Sequence, residues 1–160
     1  MTIQIGDRIP DASLSQLKDG VQTLSTRDLF DDRKVLLFSV PGAFTPTCST
    51  KHLPGYIQYF ETFQRRGIHV ACMAVNDPFV MSAWAKSQNV PDGLLMLSDG
   101  NGAFSQALGL EMDASAFGMG MRSKRFSLYA ENGVLKLLHV EAPGEFRVSS
   151  AEAMLAALGD

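Results

Sequence analysis

The chain has 160 residues, of which 46% are hydrophobic and 19% charged, with a formal net charge of -3. This is enough apolar material for one globular domain with a sizeable core over residues 1–160, and it excludes an intrinsically disordered chain. The weak negative charge leaves no basic footprint for nucleic acid or for an anionic membrane surface, so neither is expected as a partner.

Residues 1–10 (MTIQIGDRIP) contain neither a basic n-region nor an apolar h-region, and no later apolar run reaches the length that spans a bilayer. A cytoplasmic location is therefore expected. Its reducing conditions would keep the two cysteines as thiols until chemistry oxidises them. Leu14, Leu17, Val21 and Leu24 flank Lys18-Asp19-Gly20, which predicts an N-terminal β-hairpin. Ser25 or Thr26 can cap a brief helix up to Phe30, and the polar run 31–34 turns the chain back into Val35-Leu36-Leu37-Phe38. That continuous apolar run reads as a strand covered on both faces.

Pro41 and Gly42 stop this strand, and Leu53, Tyr56, Ile57, Phe60 and Phe63 then recur at helical spacing. Pro54 should kink that helix and Gly67 should end it. Residues 69–75 (HVACMAV) read as the next strand with Cys72 at its centre, and Asn76-Asp77-Pro78 starts a helix to about Gln88. This order implies a right-handed crossover between parallel strands, whose carboxyl ends are where ligands bind in such sheets. A weak strand over 94–97, a short helix over 103–108 stopped by Gly109, and a loop over 111–121 follow. Residues 125–130 and 134–140 around Asn132-Gly133 form the strongest hairpin signal, and Ser149 or Ser150 caps a last helix.

Cys48 falls in the first turn of the helix after the apolar strand. The thiolate is the nucleophilic form of cysteine, and the unpaired N–H groups and positive dipole end of a helix start favour an anion. A cysteine there is either a reactive thiolate or a buried structural thiol. Strand, turn, cysteine, helix is also the layout of thioredoxin-like redox sites, but the second cysteine of a Cys-x-x-Cys pair is here Thr45, in Thr45-Pro46-Thr47-Cys48. A threonine hydroxyl can donate to a thiolate and accept from an incoming O–H, which suits a peroxide.

The motif Pro41-x-x-x-Thr45-x-x-Cys48 resembles the active-site motif of the peroxiredoxins. With Ser49 and His52-Leu53-Pro54-Gly55 the stretch is similar to the peroxiredoxin-5 (type II, atypical 2-Cys) subfamily. The resemblance implies an α/β fold of the thioredoxin-like kind, with a central mixed β-sheet flanked by helices and an N-terminal hairpin. It implies a thiol peroxidase acting on hydrogen peroxide and organic hydroperoxides, with Cys48 as nucleophile. Thr45 would orient the peroxide, Pro41 would shield the site, and Arg125, in Lys124-Arg125-Phe126-Ser127, would be the active-site guanidinium. No metal and no other cofactor is implied, since two cysteines and three histidines form no four-ligand pattern.

His52 lies four residues after Cys48 and reads as a hydrogen-bonding neighbour, with a base as the alternative. Cys72 reads as core, with resolution of an oxidised Cys48 as its functional alternative. Many relatives of this subfamily carry a resolving cysteine before the last helix, but Phe146-Arg147-Val148-Ser149-Ser150 contains none. A 1-Cys cycle with glutathione, glutaredoxin or thioredoxin as reductant is thus the expectation. Phe44 and Phe117, with Met119 and Met121, would form an apolar collar at the site mouth or, by the resemblance, part of a homodimer interface. A peroxide sensor or holdase switched by Cys48 oxidation is the rival from another class, and a dithiol oxidoreductase is disfavoured by the single cysteine of the motif.

Overall fold

The computed structural model describes residues 1–159. A seven-stranded sheet forms its centre, in the order Val21–Ser25, Ser13–Leu17, Leu95–Ser98, Ile68–Ala74, Lys34–Ser39, Phe126–Glu131, Val134–Val140. The first hairpin is β1 (Ser13–Leu17) and β2 (Val21–Ser25), turned by Asp19 and Gly20, both at positive φ. Helix α1 (Thr26–Phe30) follows, with the Ser25 hydroxyl accepting from the Asp28 N–H, and leads into β3 (Lys34–Ser39).

β3 pairs in parallel with β4 (Ile68–Ala74) on one side and antiparallel with β8 (Phe126–Glu131) on the other, so the sheet is mixed. β5 (Leu95–Ser98) adds in parallel to β4 and holds the N-terminal hairpin through Ser15 and Ser98. The closing hairpin of β8 with β9 (Val134–Val140) turns at Asn132 and Gly133, both at positive φ, as a two-residue turn of that composition requires.

The central strand is apolar at every position from Val35 to Phe38 because both of its faces are covered. Leu36 and Phe38 point into one core, with α2 (Leu53–Gln58), α3 (Phe60–Arg65), α4 (Pro78–Ser87) and α6 (Ala151–Leu158) above them. Val35 and Leu37 point into the other, beside α1 and α5 (Ala103–Leu108). At roughly 1.5–3 kcal/mol for each large apolar side chain taken from water, these two layers supply the main drive to fold.

Two local expectations are corrected. Residues 111–121 are not a plain loop: β6 (Glu111–Asp113) and β7 (Met121–Ser123) pair antiparallel, with a 3-10 turn over Ser115–Phe117 between them. Strands this short bury too little to leave a period of two in the sequence. The helix after Cys48 is also broken more than its proline alone suggested. It begins with a π-helical turn over Cys48–His52, in which the Leu53 N–H reaches back to the Cys48 carbonyl, and it breaks again at Tyr59 between α2 and α3. Pro54 has no N–H for the carbonyl four residues back, so the wide turn sits where the ordinary helical bond cannot form. No helix among the described residues is long and apolar enough to cross a membrane.

Candidate active site

The site lies at the carboxyl end of β3. The Val40 N–H still donates to the Met73 carbonyl of the neighbouring strand, and Pro41 then ends the ladder. The Ala43 N–H donates to Asn76 Oδ1 at 2.9 Å, which ties this loop to the turn after β4. Gly42 packs closely against two long side chains: a Cβ there would lie 2.9 Å from Arg122 Nη1 and 3.1 Å from Met119 Cε and would displace their ends. Phe44 adopts a left-handed backbone (φ 63°) and leaves its ring exposed. The Ser49 N–H then donates to the Thr45 carbonyl, closing the first helical turn and placing Cys48 within it.

Cys48 is fully buried and free. Arg125, the residue before β8, crosses the end of the sheet and brings Nη2 to 3.0 Å from Cys48 Sγ. Its other terminal nitrogen, Nη1, lies 2.9 Å from His52 Nδ1. On the far side of that ring, His52 Nε2 is 3.0 Å from the Ser149 carbonyl. A carbonyl only accepts and a guanidinium only donates, so the contacts assign the proton to Nε2 and a lone pair to Nδ1. Burial, then the Arg125 charge, push His52 down to about 3, and the Ser149 bond opposes them only in part. His52 is therefore a neutral acceptor. Its lone pair belongs to Arg125, so the base alternative fails and the neighbour reading holds.

The Phe146 ring covers this pair, 5.9 Å from Arg125 Cζ and 5.0 Å from the His52 ring. Tyr56 stacks on Phe38 at 4.0 Å beneath, and its hydroxyl contacts the Ser149 carbonyl and Ser127 Oγ. On the opposite flank the Trp84 indole Nε1 donates to Ser49 Oγ at 3.0 Å, fixing the residue next to Cys48.

The sequence-derived candidates divide into two groups. Cys48, Arg125 and His52 meet directly, and Pro41 and Thr45 line the turn that leads to them. The Thr45 hydroxyl does not donate to the sulfur: it donates to the Gly42 carbonyl at 2.6 Å, which leaves its lone pairs as the free capacity. Arg122 of β7 bonds the carbonyls of Met119 and Pro41 and so clamps the loop before β7 to the strap around Gly42. Phe44, Phe117 and Met121 are large apolar side chains that stand 56%, 82% and 51% exposed. Cys72 lies in mid β4, paired with Phe38 in register, and burial pushes its thiol well up. Sequence reasoning missed Phe146 and the Ser149 carbonyl. The ring was visible only as part of a segment without cysteine, and a backbone acceptor leaves no residue signature.

Comparison with known proteins places this geometry. The model of the Redoxin family matches residues 4–155. Peroxiredoxin-2E-2, chloroplastic, of Oryza sativa subsp. japonica is 49% identical over 98% of this chain and 73% of its own length. Peroxiredoxin-2C of Arabidopsis thaliana is 45% identical over 98% of both chains. The crystal structure of reduced Prx3 from Vibrio vulnificus in complex with hydrogen peroxide superposes with a TM-score of 0.94 at 49% identity, covering 99% of this chain and 100% of that one. The mixed sheet with helices on both faces is thus the thioredoxin-like fold of these relatives. The chain belongs to the peroxiredoxin family.

Proposed function

We propose that this peroxiredoxin reduces hydrogen peroxide and organic hydroperoxides through a sulfenic acid on Cys48, in antioxidant defence and redox homeostasis. The observation that carries the reading is Arg125 Nη2 at 3.0 Å from a cysteine sulfur in the first turn of a helix. The thiolate attacks one peroxide oxygen, the O–O bond breaks, and sulfur keeps that oxygen as sulfenic acid. The second oxygen leaves with the bonding pair as hydroxide or alkoxide and takes up a proton. Arg125 faces the charge that grows on the leaving oxygen, while the free lone pairs of Thr45 can accept the peroxide O–H. The reduced Prx3 of Vibrio vulnificus forms a complex with hydrogen peroxide, and that likeness supports the small peroxide as substrate.

Cycling then needs two thiol equivalents. The first condenses with the sulfenic acid and releases water, and the second reduces the mixed disulfide and restores Cys48. Residues 146–150 hold no cysteine and Cys72 sits within an apolar strand, so an external thiol fits best: glutathione, with glutaredoxin, or thioredoxin. The cytoplasm is the compartment that such reductants fit. The motif around Cys48 favours the type II subfamily, and exposed Phe44, Phe117 and Met121 favour a homodimer formed through these loops.

Steady-state peroxide consumption tests the reading, once with glutathione and glutaredoxin and once with thioredoxin, each beside Cys48→Ser. Sustained turnover with at least one system, lost in Cys48→Ser, is the expected result. One stoichiometric oxidation without turnover would replace the peroxidase with the sensor or holdase.

A further inference from the structure

Glu141 follows directly after β9 and is an acidic side chain that nothing in the peroxide chemistry uses. Its backbone N–H donates to the Arg125 carbonyl at 3.0 Å, so the two residues are neighbours across the end of the last hairpin. The side chain is buried, at 7% exposure, and makes no salt bridge among the described residues. Its carboxylate instead accepts from three consecutive backbone N–H groups, those of Arg147, Val148 and Ser149, at 2.8–2.9 Å, and from the Ser149 hydroxyl at 2.6 Å. Burial alone would push this carboxyl up, but the bonds from Ser149, Arg147 and Val148 outweigh it and hold it below its ordinary range. His139 of β9 supports the same turn, with Nδ1 at 2.7 Å from the Val148 carbonyl.

The output of this turn is a single atom, the Ser149 carbonyl oxygen. His52 Nε2, Tyr56 Oη and Ser127 Oγ all lie within 3.0 Å of it. Tyr56 and Ser127 also contact each other at 2.7 Å, so their two protons serve three contacts: one hydroxyl donates to the carbonyl and the other to its neighbour, or both to the carbonyl. In either case His52 must supply Nε2–H, because the oxygen cannot donate. That fixes the tautomer. If the carbonyl moves away, Nδ1–H becomes available to the ring, and Nδ1–H against Arg125 Nη1–H is donor against donor.

We propose that Glu141 is a positioning residue for peroxide reduction, acting on Arg125 through the 147–149 turn and the tautomer of His52. A glutamine in its place keeps the size but offers N–H groups to a nest of N–H donors, so the turn loosens, the Ser149 carbonyl shifts, and the guanidinium loses its fixed aim at Cys48. The inference rests on peroxide reduction at Cys48, and its test separates the two.

The experiment uses the full-length chain with 15N-labelled histidine, of which there are three, and a single-turnover rate with hydrogen peroxide. In the wild type, His52 should show a pyrrole-type Nε2 and a pyridine-type Nδ1. Glu141→Gln should give a mixed or inverted tautomer and slow oxidation by about tenfold, the order expected when a reacting group is misplaced by a fraction of an ångström. In an Arg125→Ala background the same substitution should change the rate less than about twofold, since its effect passes through the missing guanidinium. An unchanged tautomer, an unchanged rate, or a loss that adds in full to that of Arg125→Ala overturns the proposal. If Glu141→Gln loses cooperative thermal unfolding, Glu141→Asp, which keeps the charge but shortens the reach, replaces it under the same criteria. Full activity in Cys48→Ser would instead overturn the peroxidase reading, and the tautomer result would stand apart from it.

Discussion

Cys48 and Cys72 share one apolar cluster, are both fully buried and both free, yet they differ in every respect that matters to chemistry. Cys72 is surrounded by strand neighbours, and burial pushes its thiol well up. Cys48 lies in a helix start with a guanidinium at 3.0 Å, and that guanidinium is itself held by a neutral histidine. Burial alone therefore does not tell the two apart. What distinguishes them is whether a positive group is fixed against the sulfur, and the sequence separates the two through the motif around Cys48 and through its helix start.

The largest effect should come from removing the proposed nucleophile: Cys48→Ser is expected to abolish peroxide turnover, measured with either reductant, and residual turnover would assign the chemistry elsewhere. Next, Arg125→Ala should slow single-turnover oxidation by about 100-fold, on the scale of losing one donor that faces developing charge. A near-normal rate would leave Cys48 different from Cys72 for some reason other than its guanidinium. Third comes the neutral histidine that holds this arginine. An unfolded chain protonates His52 near pH 6.5 but the folded one only near 3. The unfolded state thus binds more protons in that window, and stability falls as pH drops below 6.5, by up to about 1.4 kcal/mol per pH unit. Glu141 adds a loss of the same sign only as pH falls below its ordinary range near 4.5, so urea midpoints between pH 6.5 and 4.5 isolate the histidine. A slope that persists in His52→Gln belongs to another group.

The smallest effect on activity should be that of Cys72→Ser. Its oxidation rate should stay within about twofold of wild type, while the new buried hydroxyl costs roughly 1–3 kcal/mol of stability in denaturant titrations. A large loss of turnover would make Cys72 a participant and erase the contrast.

Much of this arrangement was legible in the residues. The apolar run of β3, the Asp77 and Ser150 caps, and the Asn132-Gly133 turn are local signals, and local signals survive in the fold because packing agrees with them. The motif around Cys48 named the residues of the turn as well. Other features depended on distance in sequence and direction in space. His52 was readable as a neighbour, but that its ring meets Arg125, a residue 73 positions away, is set by the fold and not by local spacing. The proton of Thr45 turns to the Gly42 carbonyl three residues back, a backbone acceptor that leaves no residue signature. Glu141 stayed silent because its partners, the Ser149 hydroxyl apart, are backbone N–H groups, which nearly every residue carries.

The hydrogen bond from Trp84 to Ser49 gives the molecule an optical property. Trp84 is the single tryptophan of the chain, it is fully buried, and its indole N–H ends on the residue beside the sulfur. Any rearrangement of that turn on oxidation alters the polarity and hydrogen bonding of one fluorophore against no background from another. The redox state of Cys48 should thus be readable as intrinsic emission, in real time and without a label.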